Sequence, residues 1–220
     1  MCGRYTLAIP SIVVENRFQV ILDKDSYRER FNAAPGQPLP VITNLEPGKL
    51  QYFRWGLIPH WAKDPKTGYR LINARAESIL QKPSFRSPMQ HYRCLVPADS
   101  YYEWQQSPAG KTPFRILMQD ETAFAMAGLW SVWKDAEGRP VQTFTIITVA
   151  ANGLVHEIHD RMPAILLKEK EHIWLDPNLS AKEATNLLQP YPANEMKAYP
   201  VSDRVNKAIN DDRELLNAIR

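Results

Sequence analysis

The second residue of the chain offers the clearest opportunity for covalent chemistry. The sequence begins Met1-Cys2-Gly3-Arg4, and a small residue such as Cys after the initiator is compatible with removal of the methionine. The mature chain would then carry an α-amine (pKa about 7.7–8.0) and a thiol (pKa about 8.5) on adjacent carbons. Such a pair traps aldehydes, because the amine condenses to a Schiff base and the thiol closes on the imine to give a thiazolidine. The alternative is that Cys2 is an incidental terminal residue.

A carboxyl group on an aromatic segment is the second candidate. In residues 97–104, strand alternation places Tyr101 and Glu103 on one face and Tyr102 and Trp104 on the other. A glutamate at such a position is often simply solvated. If its face lines an enclosed pocket, desolvation raises the pKa of Glu103 and makes it a usable general acid. The sequence leaves both alternatives open.

A third polar segment interrupts an apolar run at residues 71–77. It places Asn73, Arg75 and Glu77 at alternate positions. The salt-bridged start of a helix explains this pattern at least as well as a functional site does.

Histidines and carboxylates cluster at residues 156–160. The run His156-Glu157-Ile158-His159-Asp160 has its two histidines three residues apart, whereas the zincin motif needs them four residues apart. We therefore expect neither a metal nor any other cofactor. An acid–base role for one of these histidines fits better, because histidine alone titrates near neutrality without a perturbation.

Arginine and aromatic residues form a fifth, scattered group. Arginine pairs with phosphates in a bidentate manner, and flat rings provide a stacking surface for bases that tolerates any sequence. Dispersed surface arginines and buried tryptophans are the alternative explanation. The group consists of Arg4, Trp55, Trp61, Arg75, Phe85, Arg86, Arg93 and Arg161.

Composition limits the class of protein. A chain of 220 residues suits one large domain or at most two small ones, and it can bury a core without disulfides or metals. The net charge of +3 permits an anionic partner but is below the strongly basic balance of many nucleic-acid binders. The two cysteines, Cys2 and Cys94, form no C-x-x-C pair, and Cys94 is expected in the core. With neither a leader nor a membrane-spanning run, we expect a soluble cytoplasmic protein.

The elements that would position these groups are mostly strands. We expect one α+β domain over residues 1–220, built on a largely antiparallel sheet. Ser11 is expected to cap a helix that ends at Phe18, and Pro and Gly predict a loop at residues 31–38 and an irregular stretch at 56–70. Strands are predicted at 39–43, 50–55, 93–96, 100–105, 114–118, 123–132, 143–149 and 199–202, with a hairpin connection at 134–138. Helices are predicted at 168–175 and, capped by Ser180, up to residue 188.

Six segments together resemble the SRAP family of abasic-site processing proteins, historically called SOS-response-associated peptidases. They occur in the family order and cover nearly the whole chain. The segments are MCGR at 1–4, FNAAP at 31–35, WGLIP at 55–59, INARAE at 72–77, PADSYYEW at 97–104 and IHDRMP at 158–163.

The resemblance implies a barrel-like β core with peripheral helices and a DNA–protein cross-linking function. The residue matched by Cys2 would capture the ring-opened aldehyde of an abasic site in single-stranded DNA, which protects the lesion as part of the DNA damage response. Glu103 would assist ring opening and proton transfer, and His159 would be a second acid–base group. Asn73 would position Cys2 and the sugar by hydrogen bonds. AP-lyase and self-processing peptidase activities are accompanying expectations.

The resemblance also implies a DNA-binding surface. Its partner would be single-stranded DNA that contains abasic sites, bound by a monomer without membrane contact, so that the protein is nucleoid-associated when on DNA. Two alternatives stay open, a cysteine peptidase with Cys2 as its N-terminal nucleophile and a non-catalytic module for single-stranded DNA. The residues expected at the DNA are Gly3, Arg4, Pro35, Trp61, Arg75, Arg86, Trp104 and Arg161.

Overall fold

Strands dominate the computed structural model, which describes residues 2–108 and 110–219. Within these ranges the strands are β1 Arg4–Leu7, β2 Arg30–Ala33, β3 Pro38–Thr43, β4 Gln51–Trp55, β5 Asn73–Arg75, β6 Arg93–Ala98, β7 Ser100–Ser107, β8 Gly110–Met118, β9 Phe124–Lys134, β10 Pro140–Ala150, β11 Arg161–Pro163, β12 Ile165–Leu166 and β13 Met196–Pro200. The α-helices are α1 Ser11–Phe18, α2 Pro83–His91, α3 Gly153–His156, α4 Glu171–Leu175 and α5 Ala181–Thr185. Short 3₁₀ segments are Pro65–Arg70, Ala76–Ser78, Lys168–Lys170, Ala193–Glu195, Asp203–Asn206 and Arg213–Leu216.

A closed barrel forms the centre of the molecule. Its strand order is β10-β4-β3-β6-β9, and the β9–β10 hairpin closes the ring. The β4–β10 pair is parallel, whereas the other barrel pairs are antiparallel. Three short strands extend the barrel, with β5 and β11 on β10 and β12 on β9. The expected α+β fold with a largely antiparallel, barrel-like core is confirmed.

A second sheet, of order β13-β8-β7-β1-β2, adjoins the barrel. The chain passes from β6 of the barrel into β7 of this sheet through Asp99, which is buried. The Asp99 carboxylate accepts hydrogen bonds from Thr6 Oγ1 at 2.9 Å and from the Ala8 backbone N–H at 2.7 Å. Arg115 also lies 3.2 Å from it. This corner fixes β1 against β7, and β1 directly follows the N-terminal segment that contains Cys2.

Glycine is required where the loop after β4 turns. Gly56 has a φ of +121°, and a Cβ there would lie 2.7 Å from the backbone oxygen of Gly68. Gly68 approaches Gly56 in the same way, so the two backbones are in contact. This contact pins the segment between them, which presents Trp61 at the surface.

Local structure departs from the sequence expectations at several points. Residue Pro10, in an extended conformation, takes the cap position of α1, so Ser11 is the first helical residue and makes no capping hydrogen bond. The predicted loop at 31–38 is wrong at both ends, because β2 continues to Ala33 and β3 begins at Pro38. Only residues 34–37 form a turn, in which Gly36 has a φ of +88°. In the segment expected to be irregular, Pro65–Arg70 forms a 3₁₀ helix after Asp64.

The C-terminal elements are shorter than expected or shifted. The capping box of Ser180 and Glu183 is present, but α5 ends at Thr185 rather than at Leu188. A 3₁₀ turn precedes α4 where one helix was predicted, and the last strand begins at Met196. The segment 71–77 starts no helix. It forms β5, which pairs in parallel with β10, and a 3₁₀ turn.

Cys94 lies in the core, as expected, and is fully buried. A Cβ at Gly128 on the neighbouring strand would lie 2.8 Å from its sulfur, so glycine makes room for the thiol. Across residues 2–108 and 110–219, the structure contains no helix that is long and apolar enough to span a bilayer.

Candidate functional site

Cys2 lies where the two sheets meet. It precedes β1, which pairs with β7 so that Arg4 lies opposite Tyr102. Continuing that antiparallel register places Gly3 opposite Glu103. From the barrel side, Asn73 at the start of β5 donates a hydrogen bond from Nδ2 to the Cys2 carbonyl oxygen at 2.8 Å. Three residues that are far apart in sequence thus converge.

The environment of Cys2 keeps its thiol protonated. The residue is fully buried. Desolvation raises the pKa of its thiol, the negative charge of Glu103 adds to the increase, and a hydrogen bond from the Arg4 backbone N–H opposes it. A reactive thiolate at this position therefore needs further stabilisation or a change in its surroundings.

Glu103 is buried too, which excludes the solvated alternative that the sequence left open. Its side chain lies on β7 and is 1% exposed. Desolvation raises the pKa of Glu103 to about 7, and the negative charge of Asp160 acts in the same direction. Near neutral pH the carboxyl group is therefore present in both protonation states, so it can both give and take a proton there.

His159 lies in the turn between α3 and β11. The backbone N–H of Arg161 donates to its Nδ1 at 2.9 Å, and the Asp160 carboxylate lies 2.9 Å from the same nitrogen. Partial burial lowers the pKa of His159, although the charge of Asp160 opposes this. The Arg161 N–H requires Nδ1 to accept, whereas the Asp160 carboxylate at the same nitrogen favours a proton on it, so the two contacts favour different protonation states of the ring. The lowered pKa favours the neutral ring, which can both accept and donate a proton.

The side chain of Arg161 forms its hydrogen bonds with other residues of the protein. It donates to both oxygens of Glu77, at 2.5 and 3.0 Å, and to the Thr148 carbonyl at 2.7 Å. Glu77 is more than half exposed, and the Arg161 hydrogen bond lowers its pKa, with the charge of Arg75 contributing less. Arg75 itself is exposed. Together these residues form a rim that carries one net positive charge.

The side chain of Arg4 contacts the C-terminal segment rather than projecting into solvent. Its guanidinium donates to Asn32 Oδ1 at 3.0 Å, to the Val205 carbonyl at 2.6 Å and to the Asn206 carbonyl at 3.2 Å. Trp104 is half-buried, and its Nε1 donates to Asn206 Oδ1 at 2.7 Å. Both residues, expected at the DNA, here hold residues 205–206 against β1 and β7.

The other residues expected at the DNA are dispersed. Trp61 is 54% exposed on the loop after β4. Gly3 and Pro35 are half-buried, the first beside Cys2 and the second in the turn between β2 and β3. Arg86 is exposed on α2 and lines a separate depression together with Lys182 of α5. The structure thus groups Gly3 with Cys2 and places Arg86 among other neighbours.

Sequence reasoning missed three contributors. The negative charge of Asp160 raises the pKa values of both Glu103 and His159. Its place next to His159 in the sequence is the signal that could have identified it. Tyr5 and Tyr101 are buried and lie opposite each other across β1 and β7. Desolvation raises the pKa values of both phenols, and the negative charge of Cys2 contributes to both increases. Strand alternation placed Tyr101 on the Glu103 face but gave it no role. Among the described residues, no three His, Cys, Asp or Glu side chains meet as a metal site.

Comparison with known proteins agrees with this arrangement. A sequence model of the SOS response associated peptidase (SRAP) family matches residues 1–208. The chain is 45% identical to the abasic site processing protein YoqW of Bacillus subtilis (strain 168), over 99% of this chain and 100% of that protein. It is 34% identical to the abasic site processing protein HMCES of Gallus gallus, over 89% of this chain and 68% of that protein.

A solved structure supports the same relationship. A crystal structure of a protein from Bacteroides thetaiotaomicron is similar with a TM-score of 0.91 and 34% identity, covering 100% of both chains. The barrel with its adjoining sheet agrees with this structural match. The chain belongs to the SOS response associated peptidase (SRAP) family.

Proposed function

We propose that this protein processes abasic sites in single-stranded DNA by capturing the ring-opened sugar on Cys2. The observation that carries the proposal is the convergence of Cys2 with a buried Glu103 whose pKa is raised to about 7. The relatives YoqW and HMCES are abasic site processing proteins by name, which supports the same substrate.

The chemistry requires a free α-amine, so Met1 must first be removed. That residue lies outside the part of the chain that the structure describes. The amine then adds to the C1 aldehyde of the sugar, and loss of one water gives an imine. Addition of the Cys2 thiol to the imine carbon forms the C–S bond, the nitrogen takes up a proton, and the product is a thiazolidine.

The neighbouring groups fit the proton transfers of this sequence. Glu103, as a protonated acid, would deliver a proton to the departing oxygen and, as a carboxylate, would take one from the amine. His159 would provide a second acid–base group. Asn73 would hold the Cys2 carbonyl and thereby orient the α-amine, since its Nδ2 lies 2.8 Å from that oxygen.

Recognition of the strand would rely on phosphate contacts at the rim and on stacking against exposed aromatic rings. Exposed Arg75 provides a cation at the rim, and Trp61, on the loop after β4, provides a flat ring. An abasic nucleotide lacks its base, so moving its sugar into a pocket costs less stacking energy than flipping an intact nucleotide. AP-lyase activity would follow if the imine eliminated the 3′ phosphate before the thiol closed on it.

The test uses protein whose N-terminus, beginning at Cys2, is confirmed by intact mass. It is mixed with a single-stranded oligonucleotide that carries one abasic site and resolved on a denaturing gel. We expect a heat-stable shifted band that Cys2→Ala abolishes and that a matched Cys94→Ala variant retains. A chain with one extra residue before Cys2 should also lose the band, because its amine is displaced.

The family description contains the word peptidase, which keeps a second candidate function open. A cysteine peptidase would need the thiol but no aldehyde, and its self-processing would remove Met1. Incubating the purified precursor alone and following its mass separates self-removal of Met1 from removal by another enzyme. Covalent capture of the oligonucleotide by processed protein is the result that a peptidase alone would not give.

A further inference from the structure

The turn that carries His159 is held by the side chain of Asn152. This residue directly precedes α3, and its Oδ1 caps the helix by accepting from the backbone N–H of Val155 at 2.9 Å. The Val155 carbonyl accepts in turn from the backbone N–H of His159 at 2.8 Å. The backbone N–H of Ala151 donates to the Asp160 carbonyl at 3.0 Å and closes the turn. Two successive hydrogen bonds thus lead from the Asn152 side chain to the backbone of His159.

The amide nitrogen of Asn152 binds a different part of the molecule. Nδ2 donates to the Tyr191 carbonyl at 2.7 Å and to Met196 Sδ at 3.4 Å. These partners lie 39 and 44 residues further along the chain, just before β13 and at its first residue. An amide nitrogen has two protons, so both of its donors are used. The side chain therefore fixes the start of the turn to the segment that leads into β13.

The other end of α3 contacts the strand that carries Glu103. Gln105 lies two residues after Glu103 on β7, and strand alternation places both side chains on the same face. The Nε2 of Gln105 donates to the carbonyl of Glu157 at 2.8 Å. The turn is therefore docked on the Glu103 face of β7, which brings the His159 segment to the site.

The position of the His159 ring depends on the position of this turn. Its Nδ1 contacts are with Asp160 and the backbone of Arg161, which are its neighbours in the sequence and move with it. The ring itself is 25% exposed. The helix α3 has only four residues, a length that is not stable without contacts from outside. A side chain that fixes the start of α3 therefore also fixes the ring.

We propose that Asn152 is the positioning residue that places His159 at the site. Its oxygen sets the course of the chain through α3 to His159, and its nitrogen holds that turn against residues 191–196. That His159 acts as an acid–base group rests on the proposed function, whereas the placement of its ring by Asn152 does not.

Three variants separate positioning from a general loss of stability. Asn152→Ala removes the cap of α3 and both contacts of the amide nitrogen. Asn152→Ser keeps an oxygen that can cap the helix but loses the nitrogen. The matched control is Ser180→Ala, which removes the cap of α5, where the Ser180 Oγ accepts from the backbone N–H of Glu183 at 3.2 Å. Loss of either cap should lower the melting temperature to a similar extent.

The first measurement is the titration of His159 by NMR. Processed protein labelled with ¹⁵N-histidine is followed from pH 5 to 8.5 without DNA, and the signal of His159 is assigned by its absence in His159→Gln. Partial burial lowers the pKa of His159 in the parent. Releasing the turn exposes the ring, so Asn152→Ala should raise this pKa towards its ordinary value. Asn152→Ser should lie between Asn152→Ala and the parent, and Ser180→Ala should titrate like the parent.

The second measurement is the single-turnover rate of cross-linking at saturating abasic oligonucleotide. We expect Asn152→Ala to react about tenfold more slowly with unchanged affinity for an intact strand, because a misplaced catalytic group lowers the rate rather than binding. Ser180→Ala should react like the parent. If the parent itself forms no cross-link, the proposed function fails, and the titration still decides whether Asn152 places His159.

Parent-like titrations of His159 in both Asn152 variants would overturn the assignment. An equal change in Ser180→Ala would overturn it too, because the effect would then follow from lost stability alone. Should Asn152→Ala not fold, Asn152→Ser decides by itself, and a parent-like titration in that variant contradicts the proposal.

Discussion

At the scale of single residues, the decisive property is the protonation state of Glu103. The sequence leaves the carboxyl group on this strand face either solvated or desolvated, and burial of the side chain to 1% exposure excludes the solvated alternative. Strand alternation sufficed to pair Glu103 with Tyr101. Alternation does not reveal what covers a face, and the influence of Asp160 on Glu103 comes from the turn before β11, which lies more than fifty residues away.

Glu103→Gln should slow cross-link formation about a hundredfold or more, because general acid–base catalysis commonly contributes 10²–10⁴ in rate. If the protonated carboxyl acts as the acid, the rate of the parent should fall as pH rises above about 7, the raised pKa. The rate of the variant should show no such decrease as pH rises. Single-turnover gel assays from pH 5.5 to 8.5 provide the measurement, and a parent-like rate in Glu103→Gln would exclude the assigned role.

Glu103→Gln should make the protein more stable at high pH, although it slows cross-linking. The pKa of Glu103 is raised on folding, so the stabilising effect of its protonation is complete below the ordinary value and is lost as pH rises through about 7. At pH 8 the buried carboxylate destabilises the parent by at most about 3 kcal/mol. Urea unfolding should therefore show that Glu103→Gln is more stable than the parent at pH 8 and similar at pH 4.5. A variant that is less stable at both pH values would contradict this.

At the scale of elements, two short strands carry part of the site. β5 holds Asn73, and β11 holds Arg161, and each strand has three residues. A run of this length shows no recognisable periodicity, so its partner strand determines its conformation. The strand that carries Glu103 and the long strands β9 and β10, in contrast, are predicted from their β-branched and aromatic residues. Sequence-based prediction of secondary structure is therefore weakest at Asn73 and Arg161, although their residue types had already pointed to the site.

Asn73→Ala should loosen the N-terminal segment without weakening DNA binding. The variant removes the hydrogen bond to the Cys2 carbonyl, for which about 1 kcal/mol of stability is expected. We expect about tenfold slower cross-linking at saturating DNA, because the amine is less well oriented. Comparing the single-turnover rate with the affinity for an intact strand separates these effects. An equal loss in both would instead make Asn73 a binding residue.

Glu77→Gln should strengthen binding to single-stranded DNA. Glu77 pairs with Arg161 in a bidentate manner and is more than half exposed, so removing its charge should change stability by less than about 1 kcal/mol. The freed arginine adds one cation at the rim, which should tighten binding severalfold and steepen its salt dependence. Titrations between 50 and 200 mM salt would show this. Weaker binding would mean that the ion pair holds Arg161 in its binding position.

At the scale of the whole molecule, the two ends of the chain hold each other in place. The buried side chain of Asn32 donates to the carbonyls of Val205, Lys207 and Asn210 at 2.8–3.2 Å and accepts from Arg4. Asp211 accepts from the backbone N–H groups of Phe31 and Asn32. No sequence pattern indicates this contact, because it joins segments about 175 residues apart and follows no period. The barrel, in contrast, depends on long strands whose composition was visible beforehand.

Asn32→Ala should test this connection. Removing the amide takes one donor from each of three backbone carbonyls and one of the three acceptors from the Arg4 guanidinium, so we expect a loss of about 2–4 kcal/mol in the free energy of unfolding. Asn194→Ala, at an exposed position, serves as the matched control and should change stability by less than about 0.5 kcal/mol. Urea denaturation compares the two variants. A similar small effect in both would show that residues 205–211 contribute little to holding the N-terminal strand.

The most direct test of the account is the mass of the covalent product. Processed protein and an abasic oligonucleotide should give an adduct equal to their summed masses less one water, since thiazolidine formation expels a single water. Proteolysis should place the adduct on the N-terminal peptide with both the amine and the thiol of Cys2 blocked to further modification. An adduct on another residue, or one that leaves the Cys2 thiol free for alkylation, would contradict capture by Cys2 as a thiazolidine.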